Sequence, residues 1–140
     1  MEERFMRPLI KAELARLREV YGEVEHMEVG GEDWFKIVRY PLPDGCWING
    51  EEEASAPFAF VIKADYPGGT PYGFLTPSGL SFSGTAPNNT GAAPESVPFE
   101  GEWMLFSWHC EDWPARVEGE QGPDLVRWSR SFWKRLSEGV

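Results

Sequence analysis

The chain has 140 residues and a formal net charge of -10, with Asp and Glu well in excess of Lys and Arg. This length predicts one domain, which can bury roughly two-thirds of its unfolded surface around a single core. The acidic balance argues against binding to nucleic acid or to an anionic membrane, because both require a clustered basic face. No segment approaches the roughly 20 apolar residues of a membrane span.

The use of cysteine favours a reducing compartment. There are two cysteines, Cys46 and Cys110, and the first residues, MEERFMRP, are charged and lack the apolar run of a signal peptide. We expect two free thiols and a cytoplasmic protein, a single disulfide being the alternative. Together with His26 and His109 these cysteines lack the spacing of a zinc site, so neither a metal nor another cofactor is expected.

The first predicted element is an amphipathic helix that ends at Gly22. Its apolar residues recur at spacings that form one helical face. They are Met6, Ile10, Leu14, Leu17 and Tyr21. Pro8 suits the first turn, where a backbone N–H has no helical partner. The helix is expected to pack on a sheet, and an alternative interpretation makes Arg7, Lys11 and Arg18 a docking face for a partner protein.

Strands are predicted to follow. Residues 24–29 and 33–42 are rich in the aromatic and β-branched residues that suit a pleated surface. The acidic segment 44–56 is predicted to be a hairpin loop with a solvated tip. Residues 58–64 are almost all apolar, so both faces of this central strand should be covered.

The second half of the chain is predicted to be a long irregular segment followed by a helix. Residues 78–102 are rich in Gly, Pro, Ser, Asn and Ala, and a loop of that length is usually functional or disordered. Asp124 is the expected cap of the last helix. Its apolar stripe is Leu125, Trp128, Phe132 and Leu136. The order of elements predicts an α+β fold with an antiparallel four-stranded meander and helices on one face.

Residues 66–76, YPGGTPYGFLT, resemble the signature turn of the ubiquitin-conjugating (UBC) fold, a Tyr-Pro and a nearby proline before a Phe-x-Thr strand. Three further motifs are similar to those of the small bacterial members of that superfamily. They are Leu42-Pro43-Asp44-Gly45, the Trp-x-x-Phe-Ser-x-His motif of Trp103, Phe106, Ser107 and His109, and Trp113 followed by Asp124-Leu125. The resemblance covers residues 24–136 and implies a UBC-like fold.

The resemblance also implies transfer of a ubiquitin-like protein. The chain would receive this modifier from an activating enzyme as a Cys thioester and pass it to an amine. Conjugating enzymes carry His-Pro-Asn and then the catalytic Cys after the Phe-x-Thr strand, whereas this chain has Ala86-Pro87-Asn88 and no Cys before Cys110. Cys110 is therefore the candidate nucleophile, with His109 for proton transfer and Asn88 as an oxyanion donor.

Each candidate residue also has a structural interpretation. Cys110 would be a small buried hydrophobe whose thiolate Glu111 and Asp112 disfavour. His109 would bond a backbone carbonyl, and Asn88 would belong to a turn. The alternative function is a catalytically inactive UBC-fold module that binds a ubiquitin-like protein or its activating enzyme. A third interpretation is an unrelated α+β protein in which the Tyr-Pro turn is coincidental.

Overall fold

A computed structural model of the chain describes residues 7–64, 71–108 and 125–140. These ranges form an α+β fold with an N-terminal helix, an antiparallel sheet and a C-terminal helix. The elements are α1 (Pro8–Tyr21), β1 (Val24–Val29), β2 (Glu32–Pro41), β3 (Cys46–Ile48), β4 (Glu51–Glu52), β5 (Ser55–Ile62), β6 (Phe74–Pro77), β7 (Leu80–Phe82), β8 (Thr90–Ala92), β9 (Trp103–Phe106) and α2 (Leu125–Glu138).

Helix α1 forms where the apolar stripe predicted it. The buried members of the stripe are Ile10, Leu14 and Leu17. Pro8 stands at the start, and Gly22 ends the helix with a φ of 86°, in the left-handed region that favours glycine. The prediction for α1 is confirmed, except that Met6 lies outside the described residues.

The main sheet has six strands in the order β1-β2-β5-β6-β9-β8. All of its neighbouring pairs are antiparallel. The strands β1, β2, β5 and β6 correspond to the predicted meander, and β9 and β8 extend the sheet beyond β6. A second sheet, in the order β4-β3-β7, stands beside it.

Strand β2 contains a bulge between Ile37 and Tyr40. Ile37 pairs with Phe58 and Tyr40 pairs with Ala56, so β2 uses one residue more than β5 over this interval. Because side chains alternate between the faces of a strand, the extra residue turns Tyr40 toward the helices in place of Arg39. Tyr40 is accordingly buried and Arg39 is exposed.

The segments that the sequence analysis left without strands contain four short ones. Within residues 44–56, Asn49 and Gly50 turn the chain from β3 to β4, both with positive φ. Within residues 78–102, β7 pairs with β3 and β8 pairs with β9. Residues 78–102, predicted as a long irregular segment, therefore contain two short strands. Strands of two or three residues show no periodicity, and their pairing depends on distant parts of the chain.

Both helices pack on one face of the main sheet, around Phe132 of α2. The centroid of the Phe132 ring is 4.2 Å from that of Phe74 and 5.2 Å from that of Trp128. Other fully buried aromatic side chains in the same cluster are Phe35, Tyr40, Phe58, Phe60 and Phe106. The apolar stripe predicted for α2 packs into this stacked aromatic core, so the prediction for α2 is confirmed.

The opposite face of the sheet is also covered. Ala59 of β5 is fully buried there, beside Trp34 and Leu75, and Phe99 packs on them from the segment between β8 and β9. Burial of β5 on both faces confirms the prediction for the central strand. The segment before β9 therefore has a packing role as a cover for the sheet.

Candidate functional site

Of the three candidate catalytic residues, only Asn88 lies in the described part of the chain. Its backbone oxygen accepts a hydrogen bond of 2.9 Å from Nη2 of Arg135, and its side-chain Nδ2 donates one of 3.3 Å to the backbone oxygen of Val140. Asn89 beside it has a φ of 61°, so the turn chemistry expected of this sequence is present. Since an amide group carries two N–H donors and the side chain is exposed, a second donor remains for a ligand.

This turn is bonded to the end of β9. The backbone N–H of Ser107 donates to the carbonyl of Asn89 over 2.9 Å, directly after the β8–β9 pair Thr90 and Phe106. Trp108 is held on two sides: its indole N–H donates to Oγ of Ser131, and its carbonyl accepts from the N–H of Gly73. The chain is thus fixed beside the Asn88 turn up to the residue that precedes His109.

Arg135 is a buried cation behind the same turn. It is 4% exposed, and its guanidinium donates to the carbonyls of Gly139 at 2.6 Å and Asn88 at 2.9 Å. The group also lies over the ring of Phe106, 5.2 Å from the centroid. Within the described ranges no carboxylate pairs with it. A buried charge held by carbonyls and rings alone leaves positive potential at this end of the sheet.

Arg135 was not predicted from the sequence, although its position in α2 carries a signal. It follows Trp128 by seven residues and Phe132 by three, which places it on the apolar stripe of α2. A single basic residue among the apolar residues of a helix face predicts that its charged group is buried. Its partner carbonyl at Asn88 lies 47 residues away in the chain, and no local pattern reveals such a pairing.

His109 and Cys110 lie outside the described residues, as do the Tyr-Pro turn, Trp113 and Asp124. The roles given to them stay predictions. The Phe-x-Thr part of the resemblance falls in the described range and forms β6. Strand β6 pairs along its whole length with β9, which carries the start of the Trp-x-x-Phe-Ser-x-His motif.

Cys46 is unsuited to nucleophilic chemistry. It lies at the start of β3, is 1% exposed and forms no disulfide. Burial, with the charge of Glu52 as a second cause, raises the pKa of the Cys46 thiol to about 11. The thiolate is therefore scarce near neutral pH.

The three basic residues selected for docking, Arg7, Lys11 and Arg18, share one side of α1 but have different surroundings. Lys11 is exposed. Arg7 is 40% exposed at its side chain, with Nη2 3.9 Å from Oδ2 of Asp33. Arg18 donates from Nε and Nη2 to the carbonyl of Val24, at 3.1 and 2.9 Å, which ties the end of α1 to β1. Arg18 therefore has a structural task in addition to any docking role.

A histidine–carboxylate pair lies near the start of α1. Nε2 of His26 is 2.8 Å from Oδ1 of Asp33, and both side chains are less than a tenth exposed. The His26 ring also meets the edge of Phe35. Because little of either side chain reaches solvent, the pair joins β1 to β2 within the core and offers no open reaction site.

The described ranges hold no group of three or more His, Cys, Asp or Glu side chains arranged for a metal ion. Neither α1 nor α2 has the length and apolar character needed to cross a bilayer. Comparison of the chain with protein-family models, curated proteins and solved structures found no match.

Proposed function

We propose that this protein is a UBC-like conjugating enzyme for a ubiquitin-like modifier, with Cys110 as its nucleophile. The observation that supports the proposal best is the hydrogen bond from Ser107 to Asn89. It joins the turn of the candidate oxyanion donor, Asn88, to the strand end that leads into His109 and Cys110. The order of α1, the β1-β2-β5-β6 meander and α2 agrees with the UBC-like arrangement.

The proposed reaction has two acyl transfers. In the first, the Cys110 thiolate attacks the thioester carbonyl that joins the modifier to the activating enzyme. A new C–S bond to Cys110 forms, the C–S bond to the activating enzyme breaks, and the thiolate of the activating enzyme leaves. In the second, an amine attacks the Cys110 thioester, a C–N bond forms and Cys110 leaves as a thiolate. His109 accepts the proton that the attacking amine releases.

Asn88 and Arg135 supply the electrostatic part of the proposal. The free N–H of the Asn88 side chain is a donor for the oxyanion that forms in both transfers. Arg135 holds the carbonyl of Asn88 at 2.9 Å and so fixes the turn from which that side chain projects.

The alternative, a non-catalytic module that binds a modifier or its activating enzyme, is favoured by one observation. The Asn88 amide already donates to Val140, and its turn is stabilised by ordinary contacts. The side chain is therefore explained without catalysis.

The test is a thioester assay on non-reducing gels with the purified protein, its cognate activating enzyme, the modifier and ATP. We expect a modifier-sized, thiol-sensitive shift that Cys110→Ala abolishes and Cys46→Ala retains. Cys110→Ser should give a shift that resists thiol, because an oxygen ester replaces the thioester. If the activating enzyme is loaded in the same tubes and no shift appears, the binding module is the better explanation.

A second arm separates the role of Asn88 from loading. Asn88→Ala should lower discharge of the Cys110 thioester to free lysine by about 10²-fold or more, the range for one oxyanion donor. Asn89→Gly is the matched control, since glycine tolerates the positive φ at that position. Equal discharge rates for the two variants would remove Asn88 from the mechanism.

A further inference from the structure

An open groove lies where the end of α1, the end of β2 and the middle of α2 meet. Its volume is about 450 Å³. It is lined by Val20, Tyr21, Arg39, Tyr40, Pro41, Arg130 and Trp133. None of these residues belongs to the turn around Asn88, so the groove is separate from the proposed conjugation site.

The floor of the groove is held by a hydrogen-bonded cluster on Ser129. The hydroxyl of Tyr40 donates to the Ser129 carbonyl over 2.6 Å, and Oγ of Ser129 donates to the carbonyl of Val126. The hydroxyl of Tyr21, 2.7 Å from that Oγ, is then the donor in its own contact. Both tyrosine hydroxyls therefore donate their protons to groups within the protein. The floor of the groove can still present hydroxyl oxygens as acceptors, together with the apolar surface of the rings.

The charged side chains of the groove are both cationic. Arg39 lies 3.7 Å from Glu23, but both side chains are more than half exposed, so this ion pair is weak and easily exchanged. Arg130 has no carboxylate partner within the described ranges. In a chain of net charge -10, two arginines without a strong acidic partner form a local site of opposite sign.

Apolar surface stands next to these cations. Trp133 is 44% exposed and Val20 is 43% exposed, which makes them two of the large hydrophobic side chains that the fold leaves open. Trp, Tyr and Arg are the residue types most enriched at the energetic centres of protein interfaces. The groove combines all three around one depression.

We propose that this groove binds an acidic segment of a partner protein, with an apolar side chain against Trp133 and Val20 and carboxylates on Arg39 and Arg130. Guanidinium groups bind carboxylates through paired, charge-assisted hydrogen bonds. Small-molecule sites bury most of their ligand. This groove is open to solvent, which suits a chain segment held by one side chain. The inference is independent of the conjugation chemistry.

Nuclear magnetic resonance titration of the full chain tests the proposal. The probes are short capped peptides in which Leu, Phe or Trp is flanked by Asp residues, with Asn-for-Asp and Gly-for-apolar peptides as matched controls. We expect shifts of the Trp133 indole signal with the acidic apolar peptides only. Absence of any such shift at millimolar peptide would overturn the proposal.

Variants assign the binding to the groove. We expect Arg130→Gln to weaken binding about tenfold, the effect of losing one charge-assisted contact. Arg39→Gln should have a smaller effect. Lys134→Gln makes the same charge change on α2, four residues after Arg130, and should have none. Equal weakening by Lys134→Gln would mean that general charge attraction explains the binding.

Two further measurements test whether the groove binds a small molecule or a second copy of the chain instead of a partner segment. Phenylacetate is a small amphipathic carboxylate, and if it binds as tightly as the best peptide, the groove is a small-molecule site. If the Trp133 signal shifts on dilution of the protein alone, the occupant is a second copy of the chain. Either result would overturn the assignment to a partner segment.

Discussion

The carboxylate of Glu13 in α1 accepts a hydrogen bond of 3.0 Å from the backbone N–H of Leu125, the first residue of α2. Glu13 is 1% exposed. The first N–H groups of a helix have no partner within it, and its N-terminus carries partial positive charge. A side chain of one helix thus serves as the cap of the other, although 112 residues separate them in the chain.

Replacement of Glu13 should loosen the contact between the two helices. We expect Glu13→Ala to lower the free energy of unfolding by about 1–3 kcal/mol, because a buried N–H loses its acceptor. Glu13→Gln should cost less, since an amide oxygen still accepts. Urea unfolding followed by tryptophan fluorescence measures both, with exposed Glu19→Gln as the control for loss of charge on α1. The same change in Glu13→Ala and in the control would contradict the capping role.

The aromatic cluster predicts a large loss of stability at Phe132. Its ring contacts those of Phe74 and Trp128, and the side chain is fully buried. We expect Phe132→Ala to lower the free energy of unfolding by about 3–5 kcal/mol, and Phe132→Leu by less. Lys134→Ala on the exposed side of α2 should stay within about 0.5 kcal/mol of the parent. Chemical denaturation provides the measurement, and a small effect of Phe132→Ala would show that the core repacks.

The two tyrosines under the groove predict a loss of stability in alkali. Burial raises the pKa of Tyr40 and of Tyr21 above the value near 10 of a free side chain. The folded chain therefore keeps phenolic protons that the unfolded chain releases above pH 10. The stabilisation is present in full below that pH and is lost as the pH rises toward the folded values.

Denaturation midpoints measured from about pH 9 to about pH 11 test this dependence. Tyr40→Phe and Tyr21→Phe should each make the decline with pH less steep. Tyr72→Phe, at a side chain that is 56% exposed, is the control and should leave the slope closer to that of the parent. Identical slopes in all the proteins would show that the buried phenols ionise without unfolding.

Cys46 should resist alkylation in the folded protein. With the pKa of its thiol raised to about 11 by burial, little thiolate exists near neutral pH and reagents have no access. In a Cys110→Ala background we expect N-ethylmaleimide to react at least about tenfold more slowly in buffer than in denaturant, as measured by mass spectrometry. Rapid modification of the folded chain would mean that β3 opens readily.

Arg135 should control the order of the Asn88 turn. Removing its guanidinium deletes the hydrogen bond to Asn88 and the one to Gly139. We expect Arg135→Met to speed amide hydrogen exchange in the Asn88 turn and β8 while β1 and β2 keep their protection. Lys134→Met is the matched control on the same helix. Unchanged exchange around Asn88 would show that Ser107 and the β8–β9 pairing hold the turn without Arg135.

The parts of the fold that sequence reasoning predicted are those with a repeating apolar pattern. The stripes of α1 and α2 and the apolar run of β5 determine which side is buried, and the structure agrees with them. Strand β7 was not predicted, because a strand of three residues shows no period and because its partner is distant: Ser81 of β7 pairs with Trp47 of β3. The packing of Phe99 over the sheet was not predicted either, because Trp34, Ala59 and Leu75, with which it clusters, are distant in the sequence.

The candidate site was harder to predict than the fold. Asn88 was selected from its resemblance to a motif, yet its neighbours Arg135 and Val140 come from the far end of the chain. The groove of Arg39, Arg130 and Trp133 draws on three elements, and each residue taken alone is typical of an exposed surface position. Sites assembled from distant segments are visible only when the chain is folded.

The bulge in β2 determines which side chain after Ile37 points toward the helices. If the same residues followed simple alternation without the bulge, Arg39 and not Tyr40 would point toward the helices, and the Tyr40 hydroxyl would lose the carbonyl of Ser129. The groove would lose its floor in the same step. Deletion of one residue from the bulge would instead keep Tyr40 opposite Ala56 and on the side of the helices, so the floor of the groove would survive it.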